Sequence, residues 1–594
     1  MQLKPFVLSF LLLPVLRSPA QAQIIPANDG TNTVVSNTLN ITGGTPSGSS
    51  LFHSFQTFGV NAGQTATFQS NPAIQNILGR VVGGNSSVIN GAIQVIGGST
   101  NLYLMNPAGI IFGQGASLNV TGAFTATTAT AIGFGDGKWF NAVGTNNYGA
   151  LVGNPGDFAF TNQPGGIFNS ANLAQKEGQS ITLVGGTVVS TGTLTAPGGK
   201  ITIATVPGNK LVRISDSGSV LSLDLPIASK QQINAPSFTP LLFPKLLTGS
   251  DGTLIKEASG VTVENGVVKL TGSSQAISSG DIVTKAIDTS NTTGNAGNIN
   301  ITSNGAIRVG GAINANGFSS FGNTSPANGG TVSIKAQTEI ITGEISTSTS
   351  ALEIKNFITF AGDVSLSTQT GDIIIDSVRT GAANSGGGGG KGGDFTVDAA
   401  RLFRAIGEKG VSISTGGNVG TTLGPSNQTG LIKITHGGTD FVVGGTANFD
   451  PANRSNITAT LINPFVFPEN ASGTRGAIGS ATTNGNYRVV FQDGGFYSGV
   501  FDGTSVVRSP VNPASGFQIT SVSRPKQPPD PKQPQQPDPQ SVQRQFTRKT
   551  GKQCDTGSTT VASNSPASQR GTTASTDPCS NSSNEGNVLQ VIDK

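Results

Sequence analysis

The chain has 594 residues, of which 83 are glycine and only 11% are charged. Its formal net charge is +4, and the basic excess lies between Arg524 and Lys552, so the charge gives no reason to expect a nucleic-acid partner. Abundant Gly, Thr, Ser, Asn, Val and Ile favour many short strands and turns. We therefore predict an all-β protein.

Residues 1–22 have the three parts of a secretory signal peptide. Lys4 is the positive residue, Phe6 to Leu16 form the apolar stretch, and Ala20 and Ala22 form a small-x-small cleavage site. The apolar stretch is too short for a membrane anchor and is interrupted by a proline. We expect the mature chain to begin near Gln23, outside the inner membrane.

The next 125 or so residues contain short apolar runs separated by turn residues, which is typical of stacked strands. In the most informative stretch, two apolar runs flank Asn106-Pro107-Ala108-Gly109. Asn can bond the backbone ahead of it, Pro presets the second turn position, and Gly suits the fourth. Pro107 also favours an extended Asn106, so a strand from Leu102 should end there. Taken alone, these four residues predict an ordinary β-turn.

Four motifs occur in a fixed order over this region: an aromatic-spaced opening at Leu51 to Phe58, an Arg-Val-x-Gly-Gly segment, an Ile-x-Gly-x-Ile at Ile89 to Ile93, and the Asn-Pro turn. In this order they resemble the N-terminal secretion domain of two-partner-secreted exoproteins, the filamentous haemagglutinin family. Ala108 stands where the family has a second Asn. A further family motif has only a degraded counterpart at Asn71 to Ile74, to which we assign no role.

The resemblance implies two groups of functional residues. The first, expected to serve partner recognition and to set the fold of the domain, is Asn106, Pro107, Ala108, Gly109 and Ile110. The second, belonging to the Arg-Val-x-Gly-Gly segment, is Arg80, Val81, Gly83 and Gly84.

The resemblance also implies a fold and a route of export. The fold is a right-handed parallel β-helix, and a partner outer-membrane β-barrel would export the chain from the periplasm. Its periplasmic domains would recognise the N-terminal segment by strand addition. The product would be secreted or held at the cell surface as an adhesin or aggregation factor, with a surface carbohydrate or another cell-surface ligand as its target.

An internal repeat begins at residue 297. Its units open at Gly297, Gly330, Gly362, Gly393 and Gly430, and each opening glycine is followed by a strand of period two. Such units cannot bury an apolar face alone, so stacking into a continuous core is expected. The alternative, an antiparallel sandwich array, would need tight hairpin turns between most strands, and these are scarce. The repeat therefore also predicts a parallel β-helix.

The organisation predicted from these patterns has five parts. They are the signal peptide (1–22), the secretion domain (23–205), an irregular insertion or loop-rich extension (206–296), the β-helical body (297–516), and a Pro/Gln-rich linker with a disordered tail (517–594). The tail holds the two cysteines of the chain, Cys554 and Cys579. They form a simple disulfide loop, stay unpaired, or form a late knot that holds the C-terminus at the export pore.

Residues for catalysis or metal binding are sparse. His53 and His436 are the two histidines, and neither is close in sequence to a cysteine or a carboxylate cluster. The glycine run that ends in Lys391-Gly392 does not have the spacing of a phosphate-binding loop. We expect no metal, no cofactor and no catalytic residues. The alternative is a β-helical lyase or hydrolase whose carboxylates converge from separate coils.

Overall fold

The computed structural model describes residues 24–160, 164–206, 208, 278–319, 327–351, 358–384, 390–406, 413–415, 430 and 432–437, together with the backbone of several further strands. The chain divides into two units, Met1–Ser523 and Arg524–Lys594, and all of these residues belong to the first. The signal peptide with Ala20 and Ala22, most of the glycine run, and the tail beyond strand Phe517–Ser521, with Cys554 and Cys579, lie outside the described residues. Among the residues that the structure describes, no helix is long and apolar enough to span a membrane.

One long sheet runs through both the N-terminal domain and the body. Its neighbouring strands are parallel from Ser50–Thr57 onward, and two short antiparallel strands cover its N-terminal edge. In chain order its strands are Ile25–Pro26, Thr45–Ser47, Ser50–Thr57, Asn76–Val81, Asn101–Met105, Phe124–Thr127, Ile181–Gly185, Ile201–Thr205, Ile299–Ser303, Val332–Ala336, Val364–Thr368, Phe395–Ala399, Ile432–His436 and Phe517–Ser521.

Two further sheets complete the coils. The second sheet contains Ser87–Ile89, Ile110–Phe112, Gly166–Asn169, Leu173–Ala174, Thr187–Thr195, Ile282–Asp288, Ile307–Val309, Ile313–Asn314, Ile340–Thr342, Ile345–Ser346, Ile373–Ile375, Val378–Arg379, Phe403–Ala405, Ile413–Ser414, Asp440–Val443, Arg454–Ile457, Ile462–Asn463 and Val506–Val507. The third sheet is confined to the N-terminal coils and contains Thr33–Val35, Asn40–Gly43, Thr65–Gln69, Ala92–Ile96 and Ser117–Asn119.

The remaining elements are small. One antiparallel sheet contains Ala131–Gly133, Trp139–Asn141, Asp157–Phe160, Lys210–Ile214 and Val220–Pro226, and a 3-10 helix spans Tyr148–Ala150. Short parallel sheets contain Gly317–Ser319, Thr349–Ala351 and Ala382–Asn384, and Thr359–Phe360 with Gly390–Lys391. Two hairpins pair Gly260–Glu264 with Val267–Thr271 and Asn486–Val490 with Phe496–Val500.

Parallel pairing between successive coils confirms the predicted right-handed parallel β-helix. The period-two pattern places alternate side chains inside, so Ile299, Val332 and Val364 lie opposite one another in register and are almost fully buried. A single apolar cluster extends from Ile24 to Ile434 along the interior. The strands predicted at the start of each repeat unit are therefore confirmed, because each unit adds one coil to this core.

The glycines that open the repeat units form a column. A Cβ atom on Gly330 would lie 1.9 Å from the carbonyl oxygen of Gly297, and one on Gly362 would lie 2.0 Å from that of Gly330. The same close approach joins Gly393 to Gly362 and Gly430 to Gly393. Real Cβ atoms are not found at such distances, so glycine is required there because the preceding coil already occupies the space.

Threonine residues that the sequence did not single out bond to four of these five glycines, and Gly330 donates instead to the carbonyl of Ala315. The threonine hydroxyl donates a hydrogen bond to the glycine carbonyl in four pairs: Thr289 with Gly297, Thr347 with Gly362, Thr380 with Gly393 and Thr415 with Gly430. The backbone N–H of each glycine donates in return to the threonine carbonyl. The contact joins two residues that are separated in sequence by the end of the preceding coil.

The outward face of the long sheet differs between the two halves of the chain. In the N-terminal coils its outward residues, such as Phe52, Met105 and Val184, are buried against Phe140 and Phe158 of the antiparallel sheet. In the body the corresponding face is polar, with the register row Ser333, Ser365, Thr396 and Lys433, of which Ser365 and Lys433 are exposed and the other two half-buried. The two halves therefore share one interior but present different surfaces.

The predicted insertion, 206–296, extends too far at its C-terminal end. Residues 278–296 belong to the β-helix, because strand Ile282–Asp288 pairs in parallel with Thr187–Thr195. The chain returns to the coil that it left: Thr205 Oγ1 donates to the carbonyl of Gly280 at 2.5 Å, and the N–H of Gly280 donates to Gly186. The sequence did not predict this coil because polar residues and glycine are frequent between 278 and 296.

The glycine column predicts a specific sensitivity. Gly362→Ala should lower the free energy of unfolding by about 2–3 kcal/mol, because the new methyl group would overlap the carbonyl of Gly330. The measurement is the midpoint of urea unfolding. Gly149→Ala is the control, since its Cβ would meet nothing closer than 3.7 Å, and it should change the midpoint little. Equal effects of the two variants would contradict the steric argument.

Candidate functional site

The Asn106 turn follows strand Asn101–Met105 and forms as its residues predict. The N–H of Gly109 donates to the carbonyl of Asn106 at 3.0 Å, which closes the turn. The N–H of Ala108 donates to Asn106 Oδ1 at 3.0 Å, so the asparagine side chain caps its own turn. Gly109 has a φ of 121°, a conformation that L side chains rarely adopt.

The side chain of Asn106 is fully buried and all of its hydrogen-bonding groups are used. Its Nδ2 donates to the carbonyl of Asn85 at 2.9 Å and to the hydroxyl of Ser87 at 3.0 Å. Its backbone N–H donates to Thr127 on the next coil at 2.9 Å. Asn106 therefore joins three successive coils, and no other side chain of similar size offers donors and an acceptor in this arrangement.

The rest of the turn is enclosed as well. Pro107, Ala108, Gly109 and Ile110 are buried. Gly165 of a later coil covers the turn: its N–H donates to the carbonyl of Pro107 at 3.2 Å, and a Cβ on it would lie 2.6 Å from that oxygen. In the folded domain this turn consequently presents no side chain that a partner could contact. The alanine at position 108 removes no surface contact, because that position is interior.

The degraded motif at Asn71 forms the same turn in the opposite environment. The N–H of Ala73 donates to Asn71 Oδ1 at 2.9 Å, and the N–H of Ile74 donates to the carbonyl of Asn71 at 3.0 Å. Asn71, Pro72 and Ala73 are nevertheless exposed, and only Ile74 is buried. The two turns thus have the same local hydrogen bonds but differ in whether they are buried.

Arg80, the central residue of the second group, is buried and makes four contacts. Its guanidinium pairs with Asp29 at 2.7 Å and donates to the hydroxyl of Ser54 at 3.0 Å. It also donates to the carbonyls of Asn141 and Gly144 at 2.9 and 2.8 Å. Arg80 thereby links the N-terminal segment, the first coils and the antiparallel sheet.

Asp29 is the partner that sequence analysis missed. Burial of its carboxyl opposes ionisation, but hydrogen bonds from Ser54, Thr31 and Arg80 outweigh burial and hold the pKa of Asp29 below its usual value. The carboxylate therefore stays charged at neutral pH and balances Arg80. A signal was present: Asp29 and Arg80 are the only charged residues between Ile24 and Gly135.

The other members of the second group serve core packing and backbone conformation. Val81 points into the apolar interior and is 1% exposed. Gly83 packs on the preceding coil, where a Cβ would lie 2.0 Å from the carbonyl of Gln56. Gly84 has a φ of 79°. Glycine is thus required at position 83 by close packing and at position 84 by a left-handed backbone conformation.

Both histidines lie inside the β-helix. His53 is fully buried beside Phe55 and Phe68, and neither of its ring nitrogens has a hydrogen-bond partner. Burial lowers the pKa of His53 and of His436 to about 4, so both rings are neutral at physiological pH. Among the described residues, no group of three or more His, Cys, Asp or Glu could hold a metal ion.

Comparison with known families defines the class of this domain. Residues 22–238 match the family model of the TPS secretion domain. This match confirms the resemblance predicted from the four motifs: the N-terminal part of the chain is a TPS secretion domain. Secretion domains of this family belong to two-partner-secretion exoproteins, which are exported across the outer membrane.

Individual relatives are more distant. The chain is 31% identical over 111 residues to the heme/hemopexin-binding protein of Haemophilus influenzae, a match that covers 19% of this chain and 12% of that protein. The crystal structure of the HMW1 secretion domain from Haemophilus influenzae aligns with 73% of this chain and 99% of its own at 15% identity, with a TM-score of 0.35. The filamentous hemagglutinin secretion domain aligns with 61% of this chain and 98% of its own at 16% identity, with a TM-score of 0.31.

Burial of the Asn106 turn predicts a large stability effect. Asn106→Ala should lower the free energy of unfolding by about 2–4 kcal/mol, because buried backbone and hydroxyl groups lose their partners. Asn71→Ala, which removes the same turn bond at an exposed site, should cost about 1 kcal/mol or less. Urea unfolding of the two variants measures the difference. A loss at Asn106 no greater than at Asn71 would refute the structural role of burial.

Proposed function

We propose that a partner outer-membrane β-barrel transporter exports this protein, and that its β-helical body then acts at the cell surface as an adhesin or aggregation factor without enzymatic activity. The observation that carries the second part is the change in the outward face of the long sheet. This face is apolar and covered in the secretion domain but polar and open in the body. A covered face suits a domain that must fold reliably, and an open face suits contact with other surfaces.

Burial of the Asn106 turn supports a particular order of events during export. Since the folded domain encloses the turn, the periplasmic domains of the transporter would recognise this segment before it folds, by adding it as a strand to an exposed sheet edge. The turn then acts after release, when Asn106 brings Asn85, Ser87 and Thr127 together. In this proposal the motif serves export through folding.

The body offers a regular polar surface for adhesion. Its outward residues recur at the spacing of parallel strands, about 4.8 Å, in the rows Ser333–Ser365–Thr396–Lys433 and Lys335–Ser367–Asp398–Thr435. The two rows together contain two lysines and one aspartate among eight residues, so the face carries no strong charge of one sign. A flat, hydroxyl-rich and nearly neutral face suits contact with uncharged polymers such as cell-surface carbohydrate, or with a second cell.

The arrangement of acidic residues supports a non-enzymatic role. Asp281 and Glu344, which carbohydrate-cleaving chemistry would need as free carboxylates, pair with Arg308 at 3.4 Å and Arg379 at 2.8 Å. Asp372 lies 3.5 Å from Arg401. Glu339 also pairs with Arg308, so each of these four carboxylates lies beside an arginine, whereas a glycosidase needs two free carboxyl groups facing one bond.

Haem binding, which the name of one relative mentions, is not part of the proposal. The match to that protein covers 12% of its length. His53 and His436, the two imidazole side chains of this chain, are fully buried in the β-helix. Neither ring is accessible to a haem iron in the folded protein.

Export is tested by replacing the turn. The double variant Asn106→Ala/Pro107→Ala should reduce the amount of protein at the surface and in the medium about tenfold or more, while the signal peptide is still removed. Immunoblots of medium, surface and periplasm measure this distribution. The control is Asn71→Ala/Pro72→Ala at the exposed turn, which should export normally. Normal export of the Asn106 variant would argue against the turn as an export element, and export without the partner barrel would refute the two-partner route.

Adhesion is tested on the open face of the body. Ser333→Arg/Ser365→Arg adds two positive charges to one row and should lower cell aggregation or attachment severalfold at unchanged surface amounts. Gln369→Arg, at an exposed turn beside the same coil, is the control and should leave adhesion intact. Unchanged adhesion of the double variant would exclude this face as the contact surface. Release of new sugar ends from a polysaccharide by the purified protein would favour the enzyme instead.

A further inference from the structure

A set of polar side chains occupies one recurring position, immediately before or at the first residue of a strand or, for Ser290, immediately before the bridge residue Asn291. Each accepts a hydrogen bond from the backbone N–H of the residue at the equivalent position in the next coil, at 2.8 to 3.1 Å. We call these residues the pre-strand acceptors. They pair as follows: Asn101 with Ala123, Ser180 with Lys200, Asp281 with Ala306, Ser290 with Asn316, Asn298 with Thr331, Asn316 with Ser348, Asp363 with Asp394 and Asp372 with Leu402.

The equivalence of these positions follows from the strand register. Ile299 pairs with Val332, so Asn298 and Thr331 occupy the same position in consecutive coils. Likewise Val364 pairs with Phe395, which makes Asp363 and Asp394 equivalent. In each of the eight pairs the residue after the donor begins a strand. The hydrogen bond therefore acts at the point where a coil first meets its predecessor.

Such a contact specifies register where the core does not. The inward residues of successive strands are nearly alike, as in Ile299, Val332 and Val364, so a slip of two residues would keep an apolar side chain inside. A slip of that size would move the donor N–H by about 6.6 Å, however, and break the hydrogen bond. The pre-strand acceptors distinguish the native register from such a slip.

The arrangement also has a direction. In each of the eight pairs the side-chain acceptor belongs to the earlier coil and the backbone donor to the later one. When a chain folds from its N-terminus, the backbone that carries the acceptor is already fixed when the donor arrives. Formation of this hydrogen bond then closes one coil of about 30 residues, at a modest cost in chain entropy, before the following strand pairs.

We propose that the pre-strand acceptors set strand register as each coil folds on the one before it, and that their one-way arrangement makes the body fold from its N-terminal towards its C-terminal coils. A chain that leaves a pore N-terminal domain first would gain from this order, and that use rests on the proposed function. The folding claim itself needs neither a membrane nor a partner. A failure of export would leave it standing.

The test is refolding of the full mature chain from urea, followed by pulsed hydrogen exchange of individual coils. In the unmodified chain, amide protection should appear in 299–303 before 395–399. In Asn298→Ala/Asp363→Ala, refolding of coils beyond residue 331 should slow about fivefold per acceptor removed, with unfolding rates changed less than twofold. Protection of the 201–205 strand should be unaffected.

Two matched variants separate the effect of the acceptor's hydrogen bond from the effect of side-chain packing at the same position. Asn298→Asp keeps an acceptor oxygen, as Asp363 does naturally, and should refold at the unmodified rate. Thr331→Ala changes an exposed residue at the same position, whose side chain has no hydrogen bond in the described part of the chain, and should also refold normally. Faster unfolding with unchanged refolding would overturn the proposal, as would equal slowing by Thr331→Ala or earlier protection of 395–399 than of 299–303.

Discussion

The close stacking of one coil on the next is the constraint on which the rest of this structure depends. Backbone carbonyls in the glycine column lie where a Cβ of the following coil would be, as between Gly330 and Gly297. At that separation the backbone groups of neighbouring coils satisfy one another, and only small or polar side chains fit at the turns. The threonine hydroxyls and the pre-strand acceptors bond the groups that remain at the ends of strands.

Coils of this kind fold cooperatively only if each has a neighbour to complete its core. The secretion domain meets this requirement with additional structure. Antiparallel strands cover its N-terminal edge, the antiparallel sheet covers its outward apolar face, and the buried Arg80, paired with Asp29, holds these parts together. Covering an exposed sheet edge also prevents pairing with other chains. The domain is thus a completed first unit, and the body extends it.

The Asn106 turn shows how an export motif can act without being a surface. Its side chain supplies two donors to the preceding coil and one acceptor to its own turn, its backbone N–H donates to the next coil, and Gly165 covers it. A substitution there leaves buried polar groups without partners, so its effect on export is expected to come through folding. The exposed turn at Asn71 has the same local hydrogen bonds without this connection to other coils, and for that reason it is the informative comparison.

The sequence by itself determined the fold class, the repeat and the local geometry of the turn. Period-two strands, glycine spacing and the Asn-Pro-x-Gly pattern act over a few residues, so their consequences are readable without tertiary contacts. The strands of the body, and the family of the N-terminal domain, followed from these patterns.

Only the tertiary structure decided what depends on contacts between distant residues. Gly165 covers the turn that contains Asn106, and the charge of Arg80 is balanced by Asp29 at a separation of 51 residues. The insertion ends before residue 278 because Gly280 returns to the coil of Thr205. Local propensity carries no information about which coil will lie against which turn. That is decided by the order in which coils stack, and it determines whether a turn is enclosed or open.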